Sequence, residues 1–125
     1  MALHTAITEK VLGAALRVHT ELGAGCLEST YHACLCYQLA NDGVAFTHQV
    51  RLPIGYNGIQ LDAAYRVDFI VENCVIVEIK AVEKLLPLHL AQVLTYLKLS
   101  GYQVGLLVNF NVPHLRDGIR RVIKG

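Results

Sequence analysis

The sequence has few charged residues and no clear excess of either sign. Charged residues make up 17% of the 125 positions, apolar residues make up 54%, and the net charge is +1. Such an apolar composition excludes a disordered chain and predicts a heavily buried sheet or a partner surface, so it is compatible with a homodimer. Near-neutral charge excludes a strong overall positive field, so binding to nucleic acid would have to depend on local groups.

One local basic cluster lies near the C-terminal end. Its members are Arg116, Arg120, Arg121 and Lys124. A solvated tail and a nucleic-acid contact would both explain this cluster.

Long apolar runs and a leader-like segment are also missing. The apolar stretches fall well short of the roughly 20 residues that a membrane span requires. Residues 1–4 lack the basic head and the apolar run of a secretory signal. We therefore predict a cytoplasmic protein without membrane contact. The length predicts a single domain over residues 1–125.

The cysteines do not form a CxxC pair, so neither a redox motif nor a cysteine zinc site is supported. The four cysteines are Cys26, Cys34, Cys36 and Cys74. Their apolar surroundings predict buried free thiols. Five histidines are candidates for zinc ligands, namely His19, His32, His48, His89 and His114. We assign them no metal role, because none is judged to lie at ligand spacing from another histidine or a cysteine.

Hydrophobic periodicity predicts an α/β fold that begins with two helices. Apolar residues recur at three- and four-residue steps over residues 5–21 and 27–41, which predicts an N-terminal helical hairpin. Strand-like patterns follow over residues 46–54, 64–71 and 75–82. Three sequential strands joined by short turns predict an antiparallel meander.

The rest of the chain predicts a crossover. Pro87 can occupy the first turn of a helix over residues 87–100, which Gly101 ends. Residues 103–110 are nearly all apolar and predict a buried strand, parallel or close to the third one. Residues 118–124 are a weak strand candidate. The complete pattern fits a sheet covered by helices.

Three charged side chains interrupt the apolar strands. They are Asp68, Glu78 and Lys80, and buried unpaired charges would be costly there. Residues two apart on a strand share a face, about 6 to 7 Å apart, so Glu78 and Lys80 can share a site. Asp68 lies opposite Glu78 only if the turn is odd, for example residues 72–74. A two-residue turn would leave the two carboxylates on opposite faces. We predict the odd register.

Two carboxylates on neighbouring strands suit a hard divalent ion. Together with a strand carbonyl, that of Ile79, they can bind Mg²⁺, with Mn²⁺ as a substitute. A lysine beside them can hold and activate an attacking water and stabilise charge on a phosphate. The alternative is a salt bridge between one carboxylate and Lys80 or Arg66, which needs no catalysis.

These residues resemble a known nuclease signature. Asp68, followed after nine residues by Glu78-Ile79-Lys80, is similar to the D…ExK motif, although Val67 replaces the usual proline. Residues 25–31, with the sequence GCLESTY, match the pattern GxxExxY. Similarity extends through residues 77–82, 91–97 and 105–110. The chain thus resembles the GxxExxY family of the PD-(D/E)XK nuclease superfamily along nearly its whole length.

The resemblance implies a restriction-endonuclease-like core and hydrolysis of a nucleic acid, with DNA as the expected substrate. It implies that Asp68 and Glu78 bind the metal and that Lys80 is the catalytic lysine. Fold does not establish activity. An inactive nuclease fold that serves as a binding or dimerisation module therefore stays as the alternative from a different functional class.

Three further roles come from the same resemblance. Glu28 corresponds to a helical glutamate that assists the metal, and Gln92 with Tyr96 corresponds to a QxxxY element. Because Gln92 and Tyr96 are four apart, they share a helix face with His89, which we expect near the site. Alternatively, that face is solvated, and Glu28 simply stabilises the positive end of its helix.

Overall fold

The N-terminal part of the chain is a helical hairpin, as predicted. The computed structural model describes residues 4–125, with side chains at all of these positions except 63 and 64. The prediction that the chain does not start with a secretory signal concerns residues 1–3, which lie outside this range. Helix α1 spans Thr5–Leu22 and helix α2 spans Glu28–Asn41. Gly23, with φ of 69°, ends α1 because its backbone conformation suits a residue without a Cβ atom.

Five strands and a third helix follow. The strands are β1 Phe46–Tyr56, β2 Ile59–Val71, β3 Val75–Lys80, β4 Val104–Asn109 and β5 Ile119–Ile123, and helix α3 is Pro87–Ser100. Strand β2 begins five residues earlier than predicted. Asn57 and Gly58 both have positive φ and form a two-residue turn, which lets β1 and β2 pair up to the turn itself.

The strands form one sheet in the order β1-β2-β3-β4-β5. Strands β1, β2 and β3 are antiparallel neighbours, which confirms the predicted meander. Strands β3 and β4 are parallel and are connected through α3, which confirms the crossover. Strand β5 pairs antiparallel with β4, so the weak strand candidate is also confirmed.

Helices cover both faces of the sheet. The hairpin of α1 and α2 packs with Phe69, Val77 and other residues in one buried cluster. Helix α3 packs in a second cluster that includes Val67 and Ile76. Alternate residues of β3 therefore belong to opposite layers, as expected for a strand covered on both faces.

The alternation of side chains is broken where Asp68 lies. His48 pairs with Phe69 and Val50 pairs with Val67, but the first pair belongs to the α1–α2 side and the second to the α3 side. In a regular strand, residues two apart share a face. Between the two pairs, Gln49 has φ of 54°, a left-handed conformation that is unusual for glutamine. The strands are therefore kinked at Gln49 and Asp68.

Candidate active site

The turn between β2 and β3 sets the register of the site. Val71 pairs with Val75, Ile70 with Ile76 and Phe69 with Val77. The turn therefore contains three residues, which confirms the predicted odd register. Continuing the same register by one step places Asp68 opposite Glu78.

The two carboxylates bind the backbone of each other's strand. The Asp68 amide donates a 2.7 Å hydrogen bond to Glu78 Oε1, and the Ile79 amide donates a 2.8 Å hydrogen bond to Asp68 Oδ2. These bonds take over where the regular pairing of β2 with β3 ends, after Phe69 and Val77. Each bond occupies one oxygen of its carboxylate, and Asp68 and Glu78 are also hydrogen-bonded to each other through their side chains.

Burial raises the pKa of all three acidic groups, and repulsion from Asp68 adds to this at Glu78 and Glu28. Glu78 is 4% exposed, and burial followed by repulsion from Asp68 raises its pKa to about 8. Burial also raises the pKa of Asp68, against a lowering by the Ile79 amide and by electrostatic interaction with His32 and Lys80. The pKa of Glu28 is raised by desolvation and by Asp68. The positive charge near Glu28, Asp68 and Glu78 is therefore too small to offset the cost of ionising these three carboxyl groups.

Lys80 is positioned by a neutral partner. Its Nζ donates a 3.2 Å hydrogen bond to Gln92 Oε1. Among residues 4–125 the ion pair is Arg17 with Asp42, so the salt bridge considered between Lys80 or Arg66 and the strand carboxylates is not observed. The ammonium is near enough to lower the pKa values of Asp68 and Glu78 without pairing with either.

Helix α3 contributes Gln92, Tyr96 and His89 to this region. His89 and Gln92 line a cleft of about 400 Å³ together with Lys80. Tyr96 is 3% exposed and packs in the α3 core with Val93. The alternative that this helix face is solvated therefore does not hold for Tyr96, which also neighbours Val93 because residues three apart on a helix are adjacent. Burial and then the charges of Glu78 and Asp68 raise the pKa of Tyr96 to about 12.

Glu28 begins α2 and is held near the centre by the loop before it. The Tyr31 hydroxyl accepts a bond from the Cys26 amide (3.1 Å) and donates one to the Gly23 carbonyl (2.5 Å). Tyr31 is fully buried and stacks on Phe110. The tyrosine of the GxxExxY pattern thus closes the loop between the helices, while its glutamate interacts with the charges of Asp68 and Lys80.

The loop after β3 is held by a residue that the sequence interpretation gave no individual role. Asn109 is 2% exposed; its side chain donates to the Val82 carbonyl (2.8 Å) and accepts from the Val82 amide (3.0 Å). These two bonds fix the chain just after Lys80. An asparagine at the end of an apolar strand is the signal that could have identified it.

A second missed group adjoins the site. His32, Cys36 and His48 place one ligand atom each within 4.8 Å of one another. The interpretation that no histidine lies at ligand spacing from a cysteine is therefore wrong, because His32 and Cys36 are four apart on α2. All four cysteines are free, but each is only partly buried rather than fully buried.

The site residues line two clefts. Glu28 and Asp68 line one of about 510 Å³, beside α2, and Lys80 and Gln92 line the other, beside α3. A larger cleft of about 840 Å³ lies between α1 and α2 and is lined by other residues, such as Tyr37.

The donor set fits a hard divalent cation. Asp68, Glu78 and Glu28 supply carboxylate oxygens, and the backbone of Ile79 adjoins them through its bond to Asp68. Oxygen donors with an excess of negative charge suit Mg²⁺ or Mn²⁺, and a bound cation would stabilise the ionised carboxylates that burial disfavours. The structure thus brings together all six side chains predicted for the site: Glu28, Asp68, Glu78, Lys80, Gln92 and Tyr96.

Comparison with the solved structure of SSO0001 supports the fold. The structure of SSO0001 is similar over 94% of this chain, with 22% identity and a TM-score of 0.54, and the chain spans 65% of that protein's length. An alkaline exonuclease from Laribacter hongkongensis matches over 94% of this chain and 82% of its own, with 16% identity and a TM-score of 0.47. No curated protein sequence matches this chain.

Within residues 4–125, each helix is too short or too polar to cross a membrane.

The family model of the PD-(D/E)XK nuclease superfamily matches residues 5–122. Because this match covers nearly the whole chain and the fold agrees with it, the chain belongs to the PD-(D/E)XK nuclease superfamily.

Proposed function

We propose that this protein hydrolyses phosphodiester bonds of DNA with Mg²⁺, or Mn²⁺ in its place. The observation that carries the proposal is the convergence of Asp68, Glu78 and Lys80 where β2 and β3 stop pairing. PD-(D/E)XK nucleases generally use divalent metal ions, and the oxygen donors here suit one. The GxxExxY pattern of residues 25–31 supports assignment to that family within the superfamily.

In this mechanism, water loses a proton to solvent and attacks the phosphorus atom, the bond to the leaving oxygen breaks, and that oxygen takes up a proton from solvent. A divalent ion held by Asp68 and Glu78, with the Ile79 carbonyl and Glu28 beside them, would supply Lewis acidity and lower the pKa of bound water. Lys80 donates hydrogen bonds to the attacking water and to the phosphate, where negative charge develops. Its ammonium is suited to this because it is not neutralised by a paired carboxylate.

Gln92 and Tyr96 support Lys80 from α3. Gln92 Oε1 accepts from Lys80 Nζ and limits the directions in which the ammonium can point. Tyr96 is protonated at neutral pH, and burial and nearby carboxylates raise its pKa further, to about 12. Its hydroxyl interacts with Gln92 and can donate a hydrogen bond to the carboxylate centre. A positioned donor costs little reorganisation during the reaction.

A cleavage assay with matched variants tests the proposal. Purified protein is incubated with single- and double-stranded DNA and with RNA, in Mg²⁺, Mn²⁺ or chelator. Asp68→Asn and Lys80→Ala should each reduce the rate by at least about 100-fold, as expected for removal of a group that stabilises the transition state. Glu83→Gln and Lys84→Ala are the controls, since both residues are exposed and lie just after β3.

If Asp68→Asn or Lys80→Ala cleaves as fast as the wild type, the proposed site is contradicted. A metal titration by calorimetry separates an enzyme from an inactive module. Mg²⁺ or Mn²⁺ binding that disappears in Glu78→Ala supports the nuclease. A protein that binds DNA but neither binds metal nor cleaves would instead be the binding module.

A homodimer is the second candidate property, and the tip of the β1–β2 hairpin favours it. Tyr56, Ile59 and Leu61 are exposed there and form an apolar end on two long strands. Exposed apolar patches often mark contacts with partners. Sedimentation equilibrium should show a dimer for the wild type and a monomer for Ile59→Ser. A monomeric wild type would exclude this contact.

A further inference from the structure

Three metal-ligating side chains lie together on the α2 side of the active site. His32 and Cys36 are one turn apart on α2 and therefore share a helix face. His48 comes from β1. One ligand atom from each residue lies within 4.8 Å of the other two. The group is separate from the carboxylates of β2 and β3 in both its residues and its donor atoms.

The separation of the two imidazoles fits a shared ion. His32 Nε2 lies 3.2 Å from His48 Nδ1. Two nitrogens that each lie about 2.0 to 2.1 Å from a tetrahedral zinc ion are about 3.3 Å apart. A direct hydrogen bond between the rings would give the same distance, but it gives no role to the thiol of Cys36.

Packing orients the ligands before any ion binds. The His32 ring stacks on Phe69 with a centroid distance of 4.4 Å, and the His48 ring lies 6.4 Å from the same phenyl ring. Phe69 is fully buried, so its ring is a rigid surface against which both imidazoles pack. Burial also lowers the pKa of His32, which favours the neutral form that binds metals. Burial raises the pKa of Cys36, so the ion has to displace its proton.

We propose that His32, Cys36 and His48 form a binding site for a zinc-class ion, distinct from the carboxylate centre. Thiolate and imidazole are the donors that zinc prefers, whereas Mg²⁺ prefers oxygen. The two sites therefore select different ions. The zinc site ties α2, which carries Glu28, to β1 beside the kink at Gln49.

The proposed ion also adjoins the substrate side of the active site. The three ligands line the cleft of about 510 Å³ that Glu28 and Asp68 also line. Three protein ligands leave a fourth position for water or for an oxygen of a ligand in this cleft. The zinc site is thus placed to fix the position of Glu28 and to contact a phosphate group in the same cleft.

Cobalt binding tests the proposal directly, because Co²⁺ replaces zinc and reports its ligands by absorption. The protein is prepared without a histidine tag, treated with chelator, and titrated with Co²⁺ and then with Zn²⁺. We expect the d–d bands of tetrahedral Co²⁺ and a thiolate-to-cobalt charge-transfer band, both removed by Zn²⁺. Cys36→Ser should abolish the charge-transfer band, while Cys34→Ser, two residues away on α2, should keep it.

Affinities for Zn²⁺ extend the test. His48→Ala should weaken Zn²⁺ binding by at least about 100-fold, since loss of a supporting residue alone costs about 10- to 100-fold. His114→Ala is the matched control, an exposed histidine that should bind as the wild type does. Because His48 is exposed, its removal should leave the fold intact, which circular dichroism checks.

Two results would overturn the zinc site. One is Co²⁺ binding without a charge-transfer band in the wild type, which would mean that Cys36 is not a ligand. The other is an unchanged Zn²⁺ affinity in both Cys36→Ser and His48→Ala. Glu78→Gln separates this site from the proposed nuclease centre: it should lose Mg²⁺ or Mn²⁺ binding and keep the cobalt spectrum.

Discussion

Without metal, the stability of this protein should fall as the pH rises from about 5 to about 8. Burial and repulsion from Asp68 raise the pKa of Glu78 from 4.5 to about 8. Between these values the folded chain holds a proton that the unfolded chain has released. Because the folded state binds more protons, the free energy of unfolding decreases with rising pH in this window. The contribution is fully present below about pH 4.5 and is lost as the pH passes 8.

The size of the effect follows from the pKa shift. One pKa unit corresponds to about 1.36 kcal/mol, so a shift from 4.5 to about 8 amounts to roughly 4 to 5 kcal/mol if Glu78 stays buried at every pH. Local opening that admits water reduces this amount, and we expect a loss of about 2 to 4 kcal/mol. Asp68 acts in the same direction, since its pKa is also raised.

Urea unfolding followed by circular dichroism measures this dependence, with chelator present, at about pH 5, 6.5 and 8. Glu78→Gln has a similar shape and no ionisable group, so its stability should change much less over this range. Glu83→Gln is the control and should follow the wild type. Saturating Mg²⁺ should remove most of the loss at pH 8, because the ionised carboxylates then bind the cation. Equal pH dependence in the wild type and Glu78→Gln would refute the reasoning.

Three further substitutions test contacts that hold the site and its supporting elements in position. Gln92→Ala should lower kcat by about 10- to 100-fold with a smaller change in KM, measured by steady-state cleavage, because Lys80 loses the acceptor that orients it; an unchanged kcat would contradict this role. Gly105→Ala should destabilise the fold by about 1 to 3 kcal/mol in urea unfolding, because an added Cβ would lie 2.7 Å from Val93 Cγ1 and push α3 from the sheet; a neutral effect would show that α3 moves freely. Tyr31→Phe should cost about 1 to 3 kcal/mol by the same measurement, since the Cys26 amide and Gly23 carbonyl lose their partner; wild-type stability would exclude this clamp.

The sequence was sufficient to predict most of the fold and of the candidate site because the informative residues are rare in their surroundings. Glu78 and Lys80 are the charged residues of the apolar strand β3, and Asp68 lies between Val67 and Phe69 in β2. The alternation of side chains along a strand limits how these groups can meet. The turn of residues 72–74 then decides the register, and the odd choice is the one that gives Asp68 a place opposite Glu78. The ends of α3 could also be predicted, since Pro87 begins the helix and Gly101 ends it.

Groups of residues that only long-range packing brings together could not be predicted from the sequence in the same way. His48 is 16 residues from His32, and only the folding of β1 against α2 brings the two rings together. The burial of Tyr96 could not be predicted for a related reason. Periodicity places its side chain between a polar and an apolar stripe, and contact with Tyr65 on β2 decides that it is buried.

The kink at Gln49 explains how a charged residue can occupy the middle of a layered sheet. A left-handed conformation at a non-glycine residue costs about 1 to 3 kcal/mol and persists only where surrounding contacts compensate for it. Here the kink lets Val67 pack under α3 and Phe69 under α2, so both apolar neighbours of Asp68 are buried. Asp68 lies between the two packed faces, and its carboxylate reaches across to the backbone of Ile79 instead of entering either apolar layer. A regular strand would bury Val67 and Phe69 on one face and direct the carboxylate to the other. The strained residue therefore allows the same strand to complete the core and to supply a carboxylate to the site.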